Sequence, residues 1–180
     1  MGRDQLTFWI IGAGEFGTKA AERLYEKRPQ ASVTVVDQDV KALKRLSHLP
    51  VERVSKEGAT YLNAYLDTKI APDWIIPAVP IHLAFEWVRL KMWDRGRMEI
   101  LPVPFEIEKI LPNPIRGPEE QLFVSYADFH CPDNCTEPPD KCTFTGKPRK
   151  GLLYKRLGEM CYKNYSSIVI RSHQLDPGVG

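Results

Sequence analysis

No stretch of this chain is apolar for the roughly 20 residues that a membrane-spanning helix needs. The N-terminal Met-Gly-Arg-Asp-Gln lacks the apolar core of a secretion signal, and Leu6 stands where a myristoylation pattern needs Ser or Thr. These absences point to a cytoplasmic protein with no direct membrane insertion. Charge of one sign is lacking too: 25 Lys and Arg against 23 Asp and Glu give +2, which argues against nucleic acid or an anionic membrane as partner. Neither a Ser/His/Asp set nor a Walker lysine pattern occurs, and there is no internal repeat or low-complexity tail. Four cysteines without a secretion signal do not read as a disulfide framework.

What is present changes character along the chain. The 180 residues suit one domain with a sizeable core, or one domain and an appendage. Most of the 15 prolines lie between Pro102 and Pro148, which separates residues 1–101 from 102–180. The first part alternates strand and helix signals as a parallel sheet does. Strands are expected at Leu6–Ile11, Ser32–Asp37, Val51–Val54, Asp73–Val79 and Met98–Val103. Helices are expected at Glu15–Lys27, Val40–Ser47, Ala59–Leu66 and Ile81–Trp93, the first with Phe16, Ala20, Ala21 and Leu24 at core spacing. The fold class is therefore α/β, a doubly wound parallel sheet of Rossmann type in the order 3-2-1-4-5. A proline-studded strap over 102–118 cannot be regular helix. Beyond it, a strand at Leu122–Ala127, a helix at Gly151–Tyr162 and a strand at Ser167–Arg171 are expected to extend the same sheet. The closing Asp-Pro-Gly-Val-Gly reads as a turn entering further chain.

The first strand runs directly into Gly12-x-Gly14-x-x-Gly17, and a helix follows at once. Gly12 permits a tight strand-to-helix turn, Gly14 leaves room for a pyrophosphate, and Gly17 lets helix and strand pack closely. The helix start supplies free N–H groups and a positive dipole end for phosphates. The second strand ends in Asp37, at the spacing where an acid meets a ribose 2′-OH, so NAD is favoured over NADP. The expected cofactor-binding set is Gly12, Gly14, Glu15, Phe16, Gly17, Asp37, Gln38, Ala78 and Val79.

Residues 6–90 resemble the NAD-binding domains that regulate potassium channels and transporters, the KTN or RCK N-terminal (TrkA-N-like) family. The likeness lies in Ile-Ile-Gly-Ala-Gly-Glu-Phe-Gly-x-x-x-Ala, Val-Val-Asp-Gln-Asp, Glu57-Gly58-Ala59 and Asp73-Trp74-Ile75-Ile76. It implies a bound NAD, with Gly12, Gly14 and Gly17 under the pyrophosphate and Asp37 on the adenosine ribose. It also implies a membrane transporter as partner. The family's Gly-Asp pair after the third strand is replaced by Ser55-Lys56-Glu57-Gly58.

A second motif is His130-Cys131-Pro-Asp-Asn-Cys135, followed by Cys142, in a polar, proline-rich loop within 128–150. Thiols there have no core to fill, and soft ligands on a compact loop suit zinc or an iron–sulfur cluster. Cys131, Cys135 and Cys142 are expected to converge, with Cys161 or His130 as fourth ligand. A disulfide or redox pair and incidental thiols are the competing readings, and Cys161 also fits a buried helix face with Leu153, Leu157 and Met160. The basic run Lys141, Lys147, Arg149, Lys150, Lys155 and Arg156 follows, with no acid between Asp140 and Glu159. It suits a cluster's charge, an acidic partner or a plain solvated face.

His82 follows the fourth strand, where a ring could exchange a proton during hydride transfer; a helix-start histidine is the plainer reading. Three functions follow: an NAD(H)-binding redox or nucleotide sensor or regulatory subunit, an NAD-dependent oxidoreductase using His82, and an interaction subunit of a potassium transporter or redox assembly. Convergence of Glu86 and His82 beyond strand four would favour the oxidoreductase, and an exposed apolar face around Trp87 and Trp93 the interaction subunit. A redox partner protein and homo-oligomerisation are expected.

Overall fold

The computed structural model describes residues 5–66, 69–93, 96, 99–117, 121–132, 135–136 and 138–170. The chain forms two compact units, one within Met1–Met98 and one within Glu99–His173.

The first unit opens with β1 (Thr7–Ile11), α1 (Glu15–Lys27), β2 (Ser32–Asp37) and α2 (Val40–Arg45). It continues with β3 (Glu52–Ser55), α3 (Gly58–Tyr65), β4 (Trp74–Pro77) and α4 (Leu83–Trp93). All pairings are parallel, in the order β3-β2-β1-β4. Alternation along β1 divides the core between two faces. Phe8 and Ile10 pack with Ala20, Ala21 and Leu24 of α1 and with Ala42 and Leu43 of α2. Trp9 and Ile11 pack on the other face with Ala59 and Leu62 of α3 and Leu83 of α4. Helices thus cover both faces, as a doubly wound sheet requires. Pro77 pairs with Ile11 at the last position of β4, so its missing N–H costs no ladder bond within the strand.

Two expectations about the sheet and its first helix need correction. Residues 99–103 form no strand, and Met98 lies outside the described residues, so the described sheet ends at β4. Pro102 removes a ladder donor from that short stretch, and Pro104 closes it. Phe16 is 58% exposed rather than core. Its neighbour Gly17 occupies the inward position instead, where a Cβ would lie 1.9 Å from the Gly12 carbonyl oxygen.

The second unit contains α5 (Phe105–Glu108), β5 (Ile115–Arg116), β6 (Leu122–Phe123), α6 (Leu153–Gly158), β7 (Cys161–Tyr162) and β8 (Tyr165–Ser166). β5 pairs antiparallel with β6, and β7 with β8, so these strands form hairpins and do not extend the parallel sheet. The proline-studded strap does hold one helical turn, α5, which starts directly after Pro104, where a missing N–H is harmless. The expected helix over 151–162 stops at Gly158 because the chain turns back through Lys163, at φ +51°, into the β7–β8 hairpin. Residues 167–170 are not strand, and Arg171 lies outside the described residues.

Candidate functional site

The connections after β1, β2 and β4 all leave the carboxyl edge of the sheet. β1 and β4 are neighbours, but their helices lie on opposite faces, and a crevice opens at such a reversal.

The three glycines divide the work as their positions dictate. Gly12 has φ +108°, and a Cβ there would come within 2.5 Å of the Ala78 carbonyl oxygen and 2.9 Å of Val79 Cγ1. Its missing side chain brings the β1–α1 turn against the β4–α4 connection, where the Ala78 N–H donates to the Ile11 carbonyl of β1 at 2.7 Å. Gly17 is fixed by packing on Gly12. Gly14 has an ordinary φ of −68°, and its Cβ position meets nothing within 4 Å. Neither backbone nor packing requires glycine there. A small residue at that place leaves a cradle open in front of the first N–H groups of α1, which have no intrahelical acceptor. A dinucleotide pyrophosphate fits this cradle.

Asp37 lies half-buried at the end of β2. One carboxylate oxygen accepts the Ala13 N–H at 2.6 Å and the other the Asp39 N–H at 2.8 Å. Each oxygen keeps a further acceptor site for a ribose hydroxyl. Gln38 is exposed beside it. Two residues to which the sequence assigned no role complete the frame. Arg45, at the end of α2, donates to the Ala13 carbonyl at 3.2 Å, so Ala13 is held at both its N–H and its carbonyl. Glu57 caps α3, accepting Ala59 N–H at 2.9 Å and Thr60 N–H at 2.7 Å. Burial pushes the Glu57 carboxyl up, but bonds from the Thr60 side chain and the two N–H groups, with the Arg89 charge, bring it below its ordinary range. The Ser-Lys-Glu-Gly departure therefore supplies a helix cap, with Gly58 against Ile11, where a Cβ would lie 2.3 Å from Ile11 Cγ2. A Glu three residues before a Thr carries little N-cap signal, and nothing in the sequence marks Arg45.

His82 is exposed just ahead of α4, its carbonyl accepting the Glu86 N–H at 3.0 Å. Glu86 is buried at 7% exposure and its carboxylate pairs with Arg89 at 2.7 Å. The acid that would assist His82 is thus engaged by an arginine of its own helix.

Residues 8–65 match the TrkA-N domain, and this part of the chain is a TrkA-N-like Rossmann segment. Residues 84–180 match a second family, described as an uncharacterized protein, C-terminal domain. An "Uncharacterized protein" from Archaeoglobus fulgidus is 30% identical over 183 residues, covering 95% of this chain and 81% of the relative. The chain belongs to this family. Within it, the family's C-terminal domain begins at α4 and takes in the cysteine segment, while the TrkA-N likeness covers β1 to α3.

The expected metal centre is not formed among the described residues. Among the described residues, no three His, Cys, Asp or Glu side chains gather closely enough to hold a metal ion. Cys131, Cys135 and Cys142 are half-buried, while His130 and Cys161 are exposed. Cys142 begins a tight turn, in which Gly146 N–H reaches its carbonyl at 2.9 Å and Thr145 N–H its sulfur at 3.4 Å. Cys161 lies in β7, not on the buried helix face that its spacing from Leu157 suggests. Neither zinc nor an iron–sulfur cluster therefore has a ligand set among the described residues. The Cys142 thiol is lowered from 9.0 to about 7, chiefly by hydrogen bonding from the Thr145 side chain, then by Thr145 and Phe144 N–H and the Arg149 charge. Among the described residues, no helix is long and apolar enough to cross a membrane.

Proposed function

We propose that this protein is an NAD(H)-binding regulatory protein, a nucleotide sensor that favours NAD(H) over NADP(H). The open side of Gly14 at the start of α1, next to the Asp37 carboxylate, carries this reading. The pyrophosphate would rest on the N–H groups of Glu15 and Phe16, and Asp37 would take the ribose hydroxyls. A 2′-phosphate would meet a carboxylate already held in place by two N–H groups, an unfavourable pairing of like charges. Ala78 and Val79, against Gly12, would border the other end of the dinucleotide. The TrkA-N match supports the same reading. Bound NAD brings hydride chemistry of its own, while these residues bind and orient it.

The test is calorimetry of the full chain with NADH and NADPH. Binding of NADH at least tenfold tighter, lost in Gly14→Val, is expected. Equal or reversed preference would contradict the role of Asp37, and binding unchanged in Gly14→Val would contradict the site. A second reading, an interaction subunit, has one observation in its favour: Trp93, at the end of α4, is 68% exposed. Trp87 of the same helix packs against the core instead. An exposed tryptophan suits a protein partner, and a potassium transporter is the partner that the TrkA-N likeness suggests.

A further inference from the structure

The basic run after the cysteines has a destination inside the second unit. A cavity of about 500 Å³ is lined by Lys147, Arg149 and Lys150, by Arg156 of α6, and by Lys109 at the end of α5. Asp128 is the single acidic side chain on its wall among the described residues. Lys109 comes from a distant part of the sequence, so the concentration of charge is made by folding and is more than a local run. None of the five cations forms an ion pair with Asp or Glu among the described residues. Like charges converging on one concavity repel, and an anion within it relieves that repulsion.

Two of the cations are also set in place. Arg156 donates to the Ile110 carbonyl through its Nη2, which fixes the guanidinium. Arg149 is tied through its N–H to the Asp140 carbonyl at 2.8 Å, while its Nε is buried with no hydrogen-bond partner among the described residues. A buried guanidinium N–H without an acceptor is costly, and an oxyanion would supply that acceptor. The lining also includes aromatic side chains, Tyr126, whose hydroxyl donates to the Lys150 carbonyl at 3.2 Å, and Phe129, which stacks on Phe144 at 5.2 Å. The volume lies within the range of small-molecule sites.

We propose that this cavity binds a small organic phosphate, its phosphate held by Arg149, Lys147 and Lys150 and its organic part lying against Tyr126 and Phe129. Phosphate matches the site better than a single carboxylate because several cations converge and the guanidinium fork fits its oxygens. The site is separate from the glycine turn and does not rest on the dinucleotide reading.

The test is calorimetry of the full chain with pyrophosphate as probe, and with sulfate at matched ionic strength to separate specific binding from screening. Because the glycine turn is itself a phosphate site, Gly14→Val serves as background. Pyrophosphate is expected still to bind that variant, at one site, and at least tenfold more weakly after Arg149→Gln is added. The double change Lys147→Gln with Lys150→Gln, at exposed positions, is expected to weaken it similarly and decides the matter if Arg149→Gln does not fold. With Gly14 intact, NADH binding should be unaffected by either change. Absence of pyrophosphate binding, binding no tighter than sulfate, or binding lost in Gly14→Val but kept in the charge variants would each overturn the proposal.

Discussion

Asp37 accepts the Ala13 N–H at 2.6 Å, so the carboxylate that closes β2 also holds the glycine turn that closes β1. Its second oxygen holds Asp39 N–H, the cap of α2. One side chain therefore shapes the turn and presents an acid to whatever lies in it. Asp37→Ala is expected to lower the melting temperature and to weaken NADH binding at least tenfold. Loss of binding with unchanged melting would show that Asp37 acts on ligand alone; lowered melting with intact binding would confine it to the frame.

Gly14 and Gly17 should separate binding from folding. Gly17→Ala places a Cβ 1.9 Å from a backbone oxygen that cannot yield, and a loss of several kcal/mol is expected, on the order of an overpacked core or more. Gly14→Ala meets open space and should change stability by no more than about 1 kcal/mol, the scale of an altered N-cap. Urea denaturation of the two variants checks this, and equal losses would contradict the division of roles.

Glu57 predicts a pH dependence. Its carboxyl is lowered in the folded chain from the ordinary 4.5, so its contribution is fully present above that value and is lost as pH falls through the lowered one. Glu57→Ala should cost about 1 kcal/mol at neutral pH, as loss of an N-cap does. The difference between variant and parent should shrink as the pH drops below 4.5. Thermal melts across that range test it, and a gap that stays constant would remove the cap from the explanation.

Cys142 should react as a thiolate at neutral pH. With the thiol at about 7, its alkylation by iodoacetamide, followed peptide by peptide, should rise to half its plateau near that pH. Thr145→Val removes the leading hydrogen bond and should move the midpoint upward. A midpoint near 9.0 in the parent chain would mean that the Cys142–Thr145 turn is not formed in solution.

The first unit was legible because its signals are local and reinforce one another. Phe8 to Ile11 alternate between two faces, Gly12 sits where only a positive φ closes the turn, and Asp37 follows at the proper distance. What remained hidden there depends on tertiary reach, such as Arg45 meeting Ala13 across 32 positions. The second unit offered little to read, since its strands are two residues long and carry no periodicity. Cys131, Cys135 and Cys142, close in sequence, do not join in a metal-holding group among the described residues, and the Lys141–Pro148 bridge folds Cys142 into a turn of its own. The basic residues, which carried the plainer expectation of a solvated face, are the ones that folding brings together.

The contact between Gly12 and Ala78 ties two connections into one mechanical body. With no side chain between them, the β1–α1 turn cannot rise toward a guest without bearing on the backbone that leads to α4. Packing this tight transmits displacement instead of absorbing it. A guest in the glycine turn would thereby press on the first residues of α4, the helix at which the match to the uncharacterized C-terminal domain begins.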